Sequence, residues 1–178
     1  MPGLICHLKI IYMITIISGT NRNNSKTFQV AQYYYAYLKE KSAPVHLFSL
    51  EELQTLKRND AIIQLENELL IPAEKFIFIM PEYNGSFPGV LKILLDITDI
   101  RKCWWHKKIL LTGLADGRGG NLRGLEHMTN ILHYLKMNVY YNKLPISKIN
   151  EETDREGQFL NPNTKESIAL QIEGFLQY

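Results

Sequence analysis

Short apolar runs alternate along the chain with stretches in which apolar residues recur every three to four positions. The first run, residues 10–17, carries no charge. It reads as a strand buried on both faces, as parallel strands covered by helices are. "VHLFSL" predicts a second strand at 45–48, and "KFIFIM" a third at 75–80. "KKILLTGL" predicts a fourth at 108–113, and "NVYY" a short fifth near Val139. Between the strands the period changes to that of a helix. Ser25 is a fitting N-cap for a helix reaching residue 39, with Phe28, Ala31, Tyr35 and Leu38 on one face. Further helices are expected at 61–70, stopped by Pro72, at 89–98, opened by Pro88, at 123–136 and at 163–176.

Strands alternating with helices imply a parallel sheet with helices on both faces. The expected fold class is α/β: a flavodoxin-like three-layer sandwich with a five-stranded sheet in the order 2-1-3-4-5. A single domain is expected over residues 10–178, with residues 1–9 as an N-terminal extension. In such sheets a ligand sits beyond the carboxyl ends of the strands. That singles out three loops: "SGTNRNNS", "PEYNGSFPG" and "TGLADGRGGN".

Composition narrows the picture by exclusion. A net charge of +2 argues against a nucleic-acid partner. The first apolar run is far shorter than a membrane span needs. The two cysteines, Cys6 and Cys103, form no disulfide framework, so a reducing, cytoplasmic setting is expected. The histidines at 7, 46, 106, 127 and 133 lack the i, i+4 spacing of a helical metal site, and no metal is expected. "RKCWWHKK" reads as a linker whose tryptophan packs inward.

Each loop has its own chemistry. In the first, the hydroxyls of Ser18, Thr20 and Ser25 and the guanidinium of Arg22 precede a helix N-terminus, with no acid between residues 10 and 39. This is either a plain polar turn or a seat for an anion. It is not a Walker A loop, because it lacks the closing Gly-Lys-Ser/Thr. The second loop sets Tyr83 and Asn84 among prolines and glycines, a stiff frame that a flat ring can approach. The third is rich in glycine but fails the dinucleotide fingerprint: counting from Gly117, position 122 is leucine.

Taken together, the loops resemble those of the NADPH-dependent FMN reductase family, the flavodoxin-like quinone and azo-dye reductases. The family's Gly-Ser-x-Arg-x-x-Ser is met by Gly19, Thr20, Arg22 and Ser25, with Thr27 where asparagine is common. Its Pro-Glu-Tyr-Asn-x-x-x-Pro-Gly-x-Leu-Lys-x-x-x-Asp is matched from Pro81 to Asp96, and Thr112, Gly119 and Gly120 match its third region. "GQFLNP", before the last helix, also looks familial. The resemblance implies FMN as cofactor and NADPH or NADH as co-substrate. It implies Thr20, Arg22 and Ser25 at the phosphate, where the loop's own chemistry also puts the Ser18 hydroxyl. Pro81, Glu82, Tyr83 and Asn84 would meet the ring, and Thr112, Gly117 and Gly119 its edge. The implied reaction carries a hydride from NAD(P)H through FMN to a small acceptor: a quinone, an azo compound or free flavin. The cofactor carries that chemistry, so no catalytic side chain is nominated. A flavodoxin-like electron carrier and a binding protein that has lost flavin stay open as alternatives.

Self-association has a separate signal. Residues 89–98 carry a core stripe at Leu91, Leu94 and Leu95 and a second apolar stripe at Val90, Ile93 and Ile97. The first helix adds Val30, Tyr33 and Tyr37. Two apolar sides need two partners. Burial within one subunit would also serve, and the resemblance favours a homodimer, with a tetramer as the larger form.

Overall fold

The computed structural model describes residues 12–53 and 55–178. The expected extension at 1–9, the first two positions of the expected first strand, and Cys6 lie outside the described residues.

β1 (Ile14–Ser18) is fully buried and lies between β2 (Val45–Ser49) and β3 (Lys75–Pro81). β3 pairs in turn with β4 (Lys108–Leu114), and every pairing is parallel. The order is 2-1-3-4-5, as the alternation of elements predicts. The fifth position is split. β5 (Asn138–Val139) pairs with the start of β4, while β6 (Leu144–Ile146) pairs with its end. A three-residue strand containing Pro145 has no alternation to detect, so the sequence reading does not anticipate β6.

α1 (Lys26–Glu40) starts where Ser25 accepts the Phe28 N–H at 3.1 Å. The helix at Asp60–Leu65 (α2) runs on through a π-turn at Glu66–Leu70. α3 (Gly89–Ile97) and α4 (Ile100–Cys103) follow β3. α5 (Leu122–Tyr134) follows β4, and α6 (Ile149–Glu152) and α7 (Pro162–Gln177) close the described chain.

The helices divide the core between the two faces of the sheet. Phe76, Phe78, Leu91, Leu94, Trp104, Leu125 and Met128 pack on one face. Val30, Tyr34, Ile77, Leu110, Ile168 and Phe175 pack on the other. Trp104 is indeed packed inward, 4.9 Å from the Phe76 ring, with its indole N–H donated to Thr98 at 2.9 Å.

α1 is turned by one position from expectation. Thr27, Val30, Ala31, Tyr34 and Leu38 are buried, whereas Phe28 and Tyr35 are half-buried. A run of three tyrosines blurs the stripe, because each ring is apolar and each hydroxyl polar. Tyr34 is the one whose hydroxyl finds partners inside: Thr112 Oγ1 at 3.0 Å and Gln171 Oε1 at 2.8 Å. The second stripe on α1 is also answered within the chain. Val30 is core, Tyr33 packs edge-on to Phe159 at 5.0 Å, and Tyr37 donates to Glu173 at 2.8 Å. On α3, Leu91, Leu94 and Leu95 are buried, while Val90, Ile93 and Ile97 stay half-buried.

Candidate functional site

The chain leaves β1 through Gly19, whose N–H donates to the Ile79 carbonyl at 2.8 Å. A Cβ there would stand 2.9 Å from that same oxygen, so only glycine lets the loop pass so close to β3. Thr20 is buried, and its hydroxyl meets the Tyr83 hydroxyl and accepts the Arg22 N–H at 3.2 Å. The first turn of α1 holds no acid. Its free N–H groups and dipole therefore present positive potential, with Arg22 and Lys26 beside them. Ser18 Oγ is buried with no hydrogen-bond partner among the described residues.

The second loop is pinned at its root. The Glu82 N–H donates to the Leu114 carbonyl at 2.8 Å, tying the loop to the end of β4. Tyr83 and Ser86 then pair antiparallel, exchanging N–H···O bonds of 2.8 and 3.1 Å. Between them Asn84 (φ 53°) and Gly85 (φ 76°) are both left-handed. Asn-Gly is the favoured pair for such a two-residue turn. The hairpin presents the Tyr83 ring to the first loop, and the Arg22 guanidinium lies 4.2 Å from the ring centroid.

In the third loop and the first turn of α5 the glycines that packing demands are Gly113, Gly120 and Gly124. A Cβ at Gly113 would lie 2.5 Å from the Gly120 carbonyl oxygen. One at Gly120, where φ is +56°, would lie 2.7 Å from the backbone of Pro145. Gly117 and Gly119 are exposed, with open space where a side chain would be. Thr112 is buried in the network with Tyr34 and Gln171, on the α1 and α7 side of the sheet.

These loops enclose a cavity of about 200 Å³ beyond the carboxyl ends of β1, β3 and β4. Arg22, Ser25, Lys26 and Thr27 line it from α1 and its approach. Pro81, Glu82 and Tyr83 line it from β3, and Leu114, Ala115 and Asp116 from β4. Ile149 and Asn150 of α6 complete the wall, and Asn150 donates to Asp116 at 2.7 Å. Lys26 reaches across to the Asp154 carbonyl at 2.7 Å. Cations thus enter from the helix side and carboxylates from the strand ends.

Of the residues expected from sequence, Arg22, Ser25, Pro81, Glu82 and Tyr83 line this cavity. Thr20 joins it through Tyr83, and Ser18 lies buried at the end of β1. Asn84, Thr112, Gly117 and Gly119 are not part of its lining. The sequence reading does not single out Lys26, Asp116 or Asn150. Lys26 had a signal, as a second cation in an acid-free first turn. Asp116 and Asn150 had none, since only the fold brings α6 to the end of β4.

The comparisons with known proteins agree with this architecture. An NAD(P)H-dependent FMN reductase of Pseudomonas aeruginosa is 28% identical over 109 residues, 60% of this chain and 59% of the relative. A probable NADPH:quinone oxidoreductase of Oryza sativa is 27% identical over 111 residues, 58% of this chain and 54% of the relative. The chain thus spans between half and two thirds of these curated relatives. Among solved structures, the NADH:FMN oxidoreductase EmoB superposes with a TM-score of 0.75 at 19% identity, covering 93% of this chain and 89% of that one. The NAD(P)H:acceptor oxidoreductase FerB of Paracoccus denitrificans gives 0.76 at 16%, covering 94% and 97%. At those identities the likeness speaks for the fold. The family model described as NADPH-dependent FMN reductase matches residues 12–151, well over half of the sequence, and the chain belongs to that family.

Proposed function

We propose that this chain is an FMN-dependent NAD(P)H oxidoreductase that passes a hydride from NADPH or NADH to a small acceptor such as a quinone, an azo compound or free flavin. One observation carries the reading: the acid-free mouth of α1, with Arg22 and Lys26, shares a single cavity with the residue 81–83 wall.

The residues present fit FMN. A phosphate suits the free N–H groups and cations at α1, and the orphaned Ser18 hydroxyl offers a further donor. Tyr83 and Pro81 give a flat, partly apolar wall for a ring. Glu82 and Asp116 add acceptors suited to ribityl hydroxyls. When bound, the flavin supplies the two-electron redox chemistry. The chain's own part is to hold the phosphate and fix the ring loop. No side-chain base is assigned. Thr112, Gly117, Gly119 and Asn84 retain the roles near the ring that the resemblance implies for them.

The partner proposed is a second copy of the chain. α3, α4 and α5 border a mainly apolar groove of about 420 Å³ lined by Leu95, Ile100, Ile131, Tyr134 and Leu135, with Lys92, Asp96 and Asn130 also in its lining, and Tyr134 is 84% exposed. The half-buried second stripe of α3 at Val90, Ile93 and Ile97 is a further apolar strip of the kind that a paired copy would cover. No helix among the described residues is long and apolar enough to cross a membrane. A reducing, cytoplasmic setting suits the buried free thiol of Cys103.

The test is reconstitution. Protein incubated with FMN and desalted should retain yellow colour and flavin absorbance. It should then oxidise NADPH or NADH with benzoquinone, an azo dye or ferricyanide as acceptor. Retained flavin without NAD(P)H oxidation would leave the electron-carrier reading, and no retained flavin would overturn both.

A further inference from the structure

Asn121 stands directly before α5, where an asparagine side chain ordinarily caps the helix by accepting a backbone N–H. Here it makes no cap. The residue is left-handed (φ 63°, ψ 31°) and wholly buried. Its amide nitrogen instead donates to the carbonyls of Met80 at 3.1 Å and Pro81 at 2.9 Å. The orientation is forced, because the flipped amide would set its oxygen against two carbonyl oxygens.

This arrangement is held against local penalties. Oδ1 is buried without a partner among the described residues, which is unfavourable for any acceptor. Two glycines make room for the side chain. A Cβ at Gly124 would lie 2.1 Å from Oδ1, and one at Gly113 would lie 3.1 Å from the Asn121 Cβ.

What Asn121 grips is the root of the 81–86 loop. The Pro81 carbonyl and the Glu82 N–H belong to one planar peptide. Asn121 donates to the carbonyl, and the N–H donates to Leu114, so that plane is fixed at both edges. The Met80 carbonyl fixes the plane before it. Beyond the root, the hairpin is held at its sides by the Tyr83 contact with Thr20 and by Ser86 Oγ, 2.9 Å from His127 Nδ1, so the two root peptides set the direction in which it leaves β3.

We propose that Asn121 is a positioning residue for the flavin: it sets the two peptide planes from which the 81–86 loop meets the ring. This rests on the flavin reading above. The informative variant is Asn121→Gly, which keeps the left-handed backbone without strain and deletes the amide. Asn121→Ser, retaining one short donor, serves if the glycine variant does not fold, and its losses are smaller.

Dissociation constants for FMN and riboflavin, and hydrogen exchange in the ligand-free chain, decide it. Both flavins should bind about tenfold more weakly in the variant, as for loss of the hydrogen bonds that orient the loop. The ratio of the two affinities should not change, because the phosphate end is untouched. The Glu82 and Tyr83 amides should exchange faster. Unchanged flavin affinity overturns the proposal, and so does loss of the preference for FMN over riboflavin, which marks a general collapse. A wild-type chain that binds neither flavin ends the flavin reading by itself. Exchange then judges the loop anchor, and unchanged rates at Glu82 and Tyr83 overturn it.

Discussion

The Arg22 guanidinium lies 4.2 Å from the centroid of the Tyr83 ring, while the Tyr83 hydroxyl reaches Thr20, two residues earlier in the same loop. The two most informative stretches of the sequence are therefore in contact through one arginine and one tyrosine. Arg22 is exposed, so its face toward the ring is held by cation–π attraction and its remaining N–H groups are free for an anion.

Replacing Arg22 with alanine should lower FMN affinity by about thirtyfold, ~2 kcal/mol for one lost charge-assisted hydrogen bond. Riboflavin, which has no phosphate, should lose about threefold or less through the loosened Tyr83 ring. Fluorescence titration of both flavins reads the difference. Equal losses for the two would place Arg22 at the ring and not at the phosphate.

The glycines of the third loop divide into two kinds, and their substitution separates them. Gly120→Ala should destabilise the fold by about 2–4 kcal/mol, combining a left-handed residue with a Cβ driven into Pro145. Gly117→Ala, with open space at its Cβ, should stay within about 0.5 kcal/mol of the parent. Urea denaturation of the two variants checks both numbers.

Much of the fold was legible because buried parallel strands are apolar throughout. Residues 75–80 and 108–113 differ from the observed β3 and β4 by a single position at the carboxyl end. What escaped was whatever lacked a period. β6 is three residues around a proline, and α6 is a single turn that brings Asn150 to Asp116. The site was legible where chemistry is local, as at Arg22, Ser25 and Tyr83. It was opaque where function depends on what a side chain touches across the sheet. Thr112 reads as a hydroxyl at the end of a strand, yet its partners are Tyr34 and Gln171 inside the core. Asn121 carries no signal in the sequence, and only the fold shows its amide on β3.

Gln171 is the keystone of that inner network. Its Nε2 donates to the carbonyls of Leu111 at 3.1 Å and Asn142 at 2.8 Å, and its Oε1 accepts from Tyr34 and Thr112. The bond to Asn142 closes the gap between β5 and β6. Gln171→Leu should destabilise the chain by about 2–4 kcal/mol, since buried partners lose their bonds on β4, on α1 and in the loop between β5 and β6. Thermal unfolding measures the loss. Gln171→Glu, which keeps the acceptor but not the donors, should lie no closer to the parent than the leucine variant does.

Stability should also depend on pH through groups at the amino ends of β3 and β4, away from the candidate site. Burial pulls Lys75 down to about 8, with Lys108 adding repulsion, and burial pulls Lys107 down to about 8 as well. Their ammonium groups donate to the last carbonyls of α7 and of the π-turn, at Phe175, Leu176, Leu70 and Ile71. In the unfolded chain both lysines titrate near 10.5. Between pH 8 and 10.5 the unfolded state therefore binds more protons, and folding stability rises with pH across that window. Groups with raised values act in the opposite sense, Cys103 and Tyr34 most strongly. Burial pushes the Cys103 thiol up to about 12 from 9.0, and burial also raises the Tyr34 phenol above its ordinary 10.0. Each keeps its proton in the folded chain after losing it in the unfolded one, so each lowers stability as pH rises past its unfolded value. The two lysines outweigh Cys103 up to about pH 10. Above about 10.5 the lysine contribution is complete and the losses prevail. The unfolding midpoint should climb from pH 7.5 to about 10 and then fall. A Lys75→Met, Lys107→Met double variant should lose the climb and keep the fall, and a parent whose midpoint drops steadily from pH 8 would refute the assignment.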